Sequence, residues 1–527
     1  MAGSENDSTS VFLLGLDLGI STAKAGLFDL QGNLVQIQSE EYLILPEGDK
    51  VETHPETYWQ PLVRLIRRLL KLWGGDARNI AGVSVSSHTE SVISVKQNGE
   101  PSRKAIVWMD NRSSDEAREL LEQVGVTRVM EIAGQPEITS IWPVTKLRWL
   151  AKHEPKTTRE TAKFLLPEDY ILFRLCGKMV AEQTVWSSSV LLDIRKKAWS
   201  SELLAFGAIR ESQLPEIVAP SQLLGPITEE CARETGLNPR TQVVAGAIDQ
   251  VCAAIGAGNI APGIVTESTG SVLALLATVD QPISDPSFGI PCHIHAISNT
   301  YCLLPWHPSG GLILKWFKDT LATCGEEGAL KASDYESLSA EADSVPAGSD
   351  GLIMLPHFQG ALFPECSPAA RGVFFGLTLS QKRGHLVRAI LEAVGYMIRR
   401  DLEGLRRMGV DPKEIRVLGG GARSRSWSQI KADICKVRIL TMGQPEAAAL
   451  GAAILAAVGT GYYPNIADAV REMTKTQDVI SPDRSKELLY DSAYTLYVDL
   501  YDAVKDLFAR SAKIKDMAMK PIDTLHG

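Results

Sequence analysis

The sequence predicts an α/β protein of two large halves, and three observations carry the prediction. With 527 residues, 45% of them hydrophobic and 22% charged, the chain exceeds one typical domain and has ample material for a core. Strand-like and helix-like runs alternate along it, the pattern of helices packed on a sheet. Each half also opens on a small-residue turn between two strand-like runs. Asp17–Lys24 lies between Val11–Leu16 and Ala25–Asp29; roughly 250 residues later, Glu267–Ser271 lies between Ile264–Thr266 and Val272–Thr278.

After the first turn, YLILP (42–46) and AGVSVSS (81–87) read as strands flanking a helix over Thr57–Trp73, whose apolar residues Trp59, Leu62, Leu65, Ile66, Leu69 and Leu70 recur at helical spacing. AIVWMD (105–110) reads as another strand. QVVAGAID (242–249) is a strand running into Asp249, with a small-residue helix behind it, and marks the edge of the first half. In the second half, strands are expected near 273–278, 301–304 and 351–356, and GVFFGLT (372–378) leads into a helix from Gln381 to Met408 with one apolar face. IRVLGGGARS (415–424) is a strand ending on three glycines before the helix WSQIKADIC. The tail from about Ala467 to Gly527 reads as amphipathic helix with a loosely held end. The two halves suggest an internal duplication of architecture.

Composition excludes several classes of function. Lys and Arg total 54 against 63 Asp and Glu, a net charge of −9, which gives no reason to expect nucleic acid or an anionic membrane as partner. The start, MAGSENDSTS, is polar and acidic, unlike a signal peptide, and no stretch approaches a membrane span. Eight scattered cysteines without Cys-x-x-Cys spacing point to free thiols in a reducing cytoplasm. In Cys292-His293-Ile294-His295 a strand would send the cysteine and the histidines to opposite faces, so they do not converge on a metal.

Three segments offer backbone donors at strand ends: Asp17–Lys24, Ser268–Ser271 and Gly419–Ser424. Two facing turns of this kind would hold a ligand rich in acceptor oxygens, such as a polyphosphate, although ordinary hairpins have the same look. Asp249 is the best single candidate for catalysis, because it ends a strand and opens a helix; helix capping is the competing explanation. His88-Thr-Glu90-Ser closes a strand where polar residues can face a cleft. Trp108, Asp110, Arg112 and Trp142 add aromatic and charged groups, which suit a substrate bearing several hydroxyls or simply pack the core.

These residues, in this order, resemble the FGGY carbohydrate kinases, a branch of the actin, Hsp70 and hexokinase superfamily. The match rests on Gly372-Val-Phe-Phe-Gly376-Leu, followed after seven residues by His385-Leu-Val-Arg-Ala389-Ile-Leu-Glu392, and on Pro143-Val-Thr-Lys146-Leu-Arg-Trp149-Leu, where Ile141 stands in place of a small or aromatic residue. The resemblance runs from about Val11 to Ala457. It implies two ribonuclease H-like (actin-like ATPase) domains with a cleft between them: a sugar-binding domain over 11–255 carrying the first phosphate turn, and a nucleotide-binding domain over 256–527 with a helical tail.

Position by position, the resemblance implies Asp17 as the residue that helps hold Mg²⁺. It implies Ser21, Thr22 and Lys24 as the first phosphate turn, Ser268, Thr269 and Gly270 as the second, and Gly310, Gly311, Gly420, Gly421 and Ser424 as the ATP-binding elements around adenosine. Asp249 falls on the catalytic base, for which an ordinary carboxylate pKa suffices. His88, Glu90, Trp108, Trp142, Asp249 and Gln250 fall on or beside the substrate contacts. The implied activity is ATP-dependent phosphorylation of a ketose or sugar alcohol in the cytoplasm, with ATP and Mg²⁺ as cofactors, a pentulose such as xylulose as the default acceptor, and a homodimer compatible with the sequence.

Two departures bear on the acceptor and the donor. Ile20 replaces the Thr usual after the first-turn glycine, removing one hydroxyl donor. Where glycerol kinases read Gln-Arg-Glu-Thr and xylulokinases Gln-Met-His-Gly, this chain reads His88-Thr-Glu-Ser91. Glu90 resembles the glycerol and autoinducer-type kinases, but Thr89 in place of Arg argues against glycerol. A tetritol, tetrulose, glycerol-like polyol or autoinducer-2-type linear ketone stay open as acceptors, as do an actin- or Hsp70-like ATPase and a sugar-sensing pseudokinase as other classes.

Overall fold

The computed structural model describes residues 11–44, 46, 50–321 and 333–519. The chain divides into two compact units, each discontinuous in sequence. The first takes in the chain to Ala261 together with Thr278–Leu303 and Gly443–Lys475; the second takes in Pro262–Ala277, Leu304–Met442 and the chain from Thr476.

The first unit is built on a seven-stranded sheet. Phe12–Leu18, Thr22–Asp29 and Leu34–Glu41 form an antiparallel meander, and Ile80–Ser87 pairs with Phe12–Leu18 in parallel. Gln242–Val244 and Ala247–Ile248 both run parallel to Ile80–Ser87, and Leu223–Pro226 closes that side. The strand period of two separates the faces of Phe12–Leu18. Leu14, Leu16 and Leu18 join a buried cluster with Tyr58, Trp59 and Leu62 of the Glu56–Trp73 helix, whereas Gly15 faces Ala449 of the alanine-rich helix Ala447–Gly459. The sheet is therefore covered by helix on both faces, and its parallel strands Phe12–Leu18 and Ile80–Ser87 are buried along most of their length.

The second unit repeats the plan. Ile264–Thr269 and Leu273–Val279 are antiparallel, and Glu414–Leu418 pairs with Ile264–Thr269 in parallel. Arg438–Met442 and Thr476–Ile480 extend the sheet, and Trp306–His307 pairs with Leu273–Val279. The long helix Arg383–Arg407 carries a buried network in which Glu392 accepts hydrogen bonds from Arg388 Nε (2.9 Å), Gly348 N (2.9 Å) and Tyr490 Oη (3.0 Å). Arg388 and Glu392 of the sequence signature thus hold scaffold together.

Several expected elements differ. The first turn shrinks to Gly19–Ser21, because Asp17 and Lys24 are cross-strand partners within the meander. The second shrinks likewise, since Glu267, Ser268 and Thr269 complete their strand. The strand expected at 42–46 lies earlier, at Leu34–Glu41, where alternating exposure marks an edge strand; Tyr42–Ile44 belong to no strand, and Leu45 is outside the described residues. Of AIVWMD only Ala105–Ile106 is strand, paired with Glu52–Thr53 apart from the main sheet. The helix of the tail spans Glu487–Met519, and the end of the chain expected to be loosely held falls partly outside the described residues.

Candidate active site

In the first unit the parallel strands Phe12–Leu18, Ile80–Ser87 and Ala247–Ile248 end at one edge of the sheet, in register Leu18 with Ser87 and Ser87 with Ile248. Strand ends of this kind are where open α/β sheets bind ligands. Asp17, the segment His88–Glu90 and Asp249 all stand there, so the fold brings together three of the carboxylates singled out in the sequence.

Asp17 is half-buried and accepts a hydrogen bond from Ser86 Oγ at 2.8 Å. Burial raises its pKa against the opposing effects of Ser86 and Lys24. Burial, reinforced by the negative charge of Asp17, pushes Asp249 up to about 7, above the ordinary carboxylate range expected for it. Asp249 is the first residue of its helix and, among the described residues, accepts only the N–H of Gln250, at 2.7 Å, so the capping explanation falls away: a cap sits before the first turn and accepts from its second or third residue. Glu90 has φ of +63°, a left-handed conformation unusual away from Gly, Asn and Asp, and it stands in the loop just beyond the Ile80–Ser87 strand. Burial raises Glu90 to about 7, with Asp249 adding repulsion, while the Ser188 hydroxyl donates to its Oε1 and Lys146 opposes the shift.

Lys146, from the Pro143–His153 helix, is fully buried. Its ammonium donates to the carbonyls of Trp108 (3.3 Å), Ser140 (2.7 Å) and Ile141, and burial lowers its pKa to about 7. It thereby ties the Trp108 and Trp142 segments together. The Trp108 backbone N–H donates to Ser91 Oγ at 3.1 Å; Trp142 donates its indole N–H to Glu137 O at 2.8 Å, and both residues are half-buried. Asp110 pairs with Arg112, whose Nη1 also meets Glu52 Oε1 at 2.6 Å: burial would raise Asp110, but Arg112 and the Val51 N–H hold it below its usual range, and Arg112 lies 4.9 Å over Trp149.

His88 is buried with Nδ1 3.0 Å from Leu18 O, and burial lowers its pKa to about 4, so the neutral ring donates to the backbone leading into the first turn. That turn is closed by Gly19 N to Thr22 O (3.0 Å) and by Tyr42 N to Ser21 O (2.9 Å), leaving Ile20 and Ser21 exposed. Lys24 Nζ pairs with Glu446 Oε2 at 2.6 Å.

The second unit holds a cavity of about 710 Å³, lined among others by Thr269, Gly270, Gly311, Gly420, Gly421 and Ser424, six of the residues assigned to nucleotide by resemblance. Gly310 and Gly311 pass across the second turn, donating to Ser271 O (2.9 Å) and Gly270 O (2.8 Å). Gly419 has φ 74° and ψ −165°, a region open essentially to glycine alone, and this conformation turns the chain from its strand into the cavity wall. Ser424 caps the next helix, accepting from Trp427 N at 3.2 Å. The Thr269 hydroxyl donates to Glu267, and Lys431 Nζ lies 2.7 Å from Glu267 Oε2 and 3.0 Å from Thr269 Oγ1.

Glu446, Ser188 and Lys431 were not singled out in the sequence, and Lys146 was only a motif position. No local pattern marks Glu446, Ser188 and Lys431, since each meets its partner across a long stretch of chain.

An α/β plan of two units, with carboxylates at strand ends in one and a glycine-walled cavity in the other, defines a class of phosphoryl-transfer protein. The model of the FGGY carbohydrate kinase N-terminal domain matches residues 12–256 and that of the C-terminal domain residues 307–460; the chain belongs to the FGGY family of carbohydrate kinases, ATP-dependent sugar phosphotransferases of actin-like ATPase fold. It is 27% identical to the xylulose kinase of Bacillus subtilis (strain 168), covering 94% of this chain and 98% of that protein. It is 28% identical to the gluconokinase of the same organism, covering 95% and 98%. The crystal structure of xylulose kinase from Rhodospirillum rubrum superposes with a TM-score of 0.85 at 29% identity, over 94% of this chain and all of that one. Among the described residues no helix is long and apolar enough to cross a membrane.

Proposed function

We propose that this kinase transfers the γ-phosphoryl group of ATP to a hydroxyl of an uncharged ketose, a pentulose such as xylulose, with Asp249 as general base. The relatives pose the choice between a ketose and an aldonate, since xylulose kinase and gluconokinase are matched equally well. One observation favours the ketose: Asp249 repels the charge of Glu90, and the adjacent Lys146 already directs its protons to three carbonyls. A gluconate carboxylate entering that neighbourhood would meet like charge, whereas the hydroxyls of a ketose can donate to both carboxylates.

Phosphoryl transfer asks the protein mainly for positioning and charge stabilisation. Asp249, raised to about 7, is matched to neutral pH as acceptor of the attacking hydroxyl's proton. Glu90, backed by Ser188, accepts from a second hydroxyl; Gln250, Trp108 and Trp142 complete the sugar contacts, and His88 acts by fixing the first turn. Ser21, Thr22 and Lys24, with Ser268, Thr269 and Gly270, hold the phosphates, and Gly310, Gly311, Gly420, Gly421 and Ser424 hold adenosine. The Asp17 carboxylate, which burial disfavours in its charged form and whose described side-chain donor is Ser86, fits a divalent cation. Mg²⁺ there would neutralise phosphate charge while keeping several waters. In this reading residues 11–255 form the sugar-binding domain and 256–527 the nucleotide-binding one, in a cytoplasmic enzyme that assembles as a homodimer.

The test is ADP release with ATP and Mg²⁺ over a panel of D-xylulose, other pentuloses, tetritols, glycerol and gluconate. The reading expects a pentulose to give the highest kcat/KM and gluconate to lie at background. Preference for gluconate would overturn the charge argument, and acceptor-independent hydrolysis at full rate would overturn the kinase assignment.

A further inference from the structure

The Ala247–Ile248 strand that delivers Asp249 pairs on one side with Ile80–Ser87. It approaches that neighbour so closely that a Cβ on Gly246 would stand 1.7 Å from Val85 O. On its other side, where a further strand would accept the N–H groups of residues 246 and 248, side chains accept them. Gly246 N donates to Glu168 Oε1 at 3.0 Å, and Ile248 N donates to Thr184 Oγ1 at 3.0 Å. Glu168 and Thr184 are both completely buried, as is Glu182 behind them.

The Thr184 hydroxyl has a fixed orientation. Glu182 Oε2 accepts from Thr184 N (2.9 Å), from Val185 N (3.0 Å) and from the Thr184 hydroxyl itself (2.5 Å). With its single proton committed to Glu182, the Thr184 oxygen presents lone pairs to Ile248 N–H. A buried backbone N–H must find an acceptor, so this arrangement fixes both the height and the direction of the strand end one residue before the carboxylate.

We propose that Thr184 and Glu168 are positioning residues of the phosphoryl-transfer reaction, holding the outer edge of the Ala247–Ile248 strand so that the Asp249 carboxylate stays in line with the acceptor hydroxyl. The inference rests on Asp249 being the base. Neither residue touches substrate; they act through the backbone of residues 246–248. Misplacing a reacting group by about 1 Å costs on the order of a hundredfold in rate, so the effect belongs in kcat.

The experiment compares Thr184→Val, which keeps shape but loses the acceptor, with Thr184→Ser, which keeps it, in the full chain with ATP, Mg²⁺ and D-xylulose. Thr184→Val should lower kcat about tenfold or more, with KM for sugar and for ATP held within about threefold, and Thr184→Ser should restore kcat. Glu168→Gln keeps an acceptor oxygen for Gly246 N and should retain kcat within about threefold, whereas Glu168→Leu should behave like Thr184→Val. A folded Thr184→Val with unchanged kcat, or a loss confined to sugar KM, overturns the proposal. If Thr184→Val fails to fold, Glu168→Leu against Glu168→Gln decides by the same criteria. Undiminished turnover in Asp249→Asn is a distinct outcome: it removes the base reading and the positioning role with it.

Discussion

Lys431 Nζ stands 2.7 Å from Glu267 Oε2, with the two side chains 1% and 0% exposed, and Glu267 lies on the strand that runs into the Gly270 turn. A pair so fully desolvated stabilises only while both partners are present. Lys431→Met should therefore cost about 3–5 kcal/mol, because it leaves the buried Glu267 charge without its cationic partner, the Thr269 hydroxyl still donating to it. Adding Glu267→Gln to that variant should recover a large part of the loss. Denaturant unfolding of the four chains in the cycle measures the coupling, and simple additivity of the two single changes would show that the pair does not act as a unit.

Asp249→Asn should lower kcat by about 10²–10⁴-fold while nucleotide binding, followed by calorimetry, stays within about twofold. The wild-type chain should show an acid limb in kcat/KM near pH 7, since burial and the Asp17 charge raise Asp249 to about 7 and the base works only when ionised. Activity should rise with pH through that limb and then level off. Glu90 titrates in the same range, so the control is Glu90→Gln. If the limb belongs to Asp249 it survives that substitution, and its disappearance would reassign it to Glu90.

Glu90→Ala should raise KM for the sugar by roughly 10- to 100-fold, the equivalent of one hydrogen bond to a charged group, and leave KM for ATP nearly unchanged. Ser188→Ala should produce a smaller effect of the same kind, because the Ser188 hydroxyl donates to Glu90 Oε1. Equal effects on both substrates would indicate a general loosening of the sheet edge, and kinetics with each substrate varied in turn distinguishes the two.

The features legible in the sequence were those written locally. Alternation of strand and helix gave the α/β class, the two strand–turn–strand openings gave the repeated plan, and Asp249 was visible because a single carboxylate interrupts an apolar strand at the start of a helix. What stayed hidden depends on partners far apart in the chain. Ser188 meets Glu90 across 98 positions, Lys431 meets Glu267 across 164, and Glu446 reaches Lys24 across 422. The same limit explains His88, whose ring is held by Leu18 O across 70 positions. Turn limits were misjudged for a related reason: whether Asp17, Lys24 and Ser268 are turn or strand is set by cross-strand pairing rather than by their own propensities.

Ile20 sits at the tip of the first turn with 48% of its surface exposed, and the turn around it is closed by backbone hydrogen bonds that do not involve its side chain. Replacing it should therefore be almost neutral for folding, within about 0.5 kcal/mol. Ile20→Thr adds one hydroxyl donor to a turn that already presents an exposed Ser21, and a hydrogen bond to a charged phosphate contributes about 1.5–3 kcal/mol where geometry is good. Partial exposure reduces that gain, so KM for ATP should fall by about two- to tenfold while KM for the sugar stays put. Ile20→Val, equally apolar, should leave both constants unchanged. An improvement in the valine variant as large as in the threonine one would show that shape at the turn, rather than a missing donor, sets nucleotide affinity.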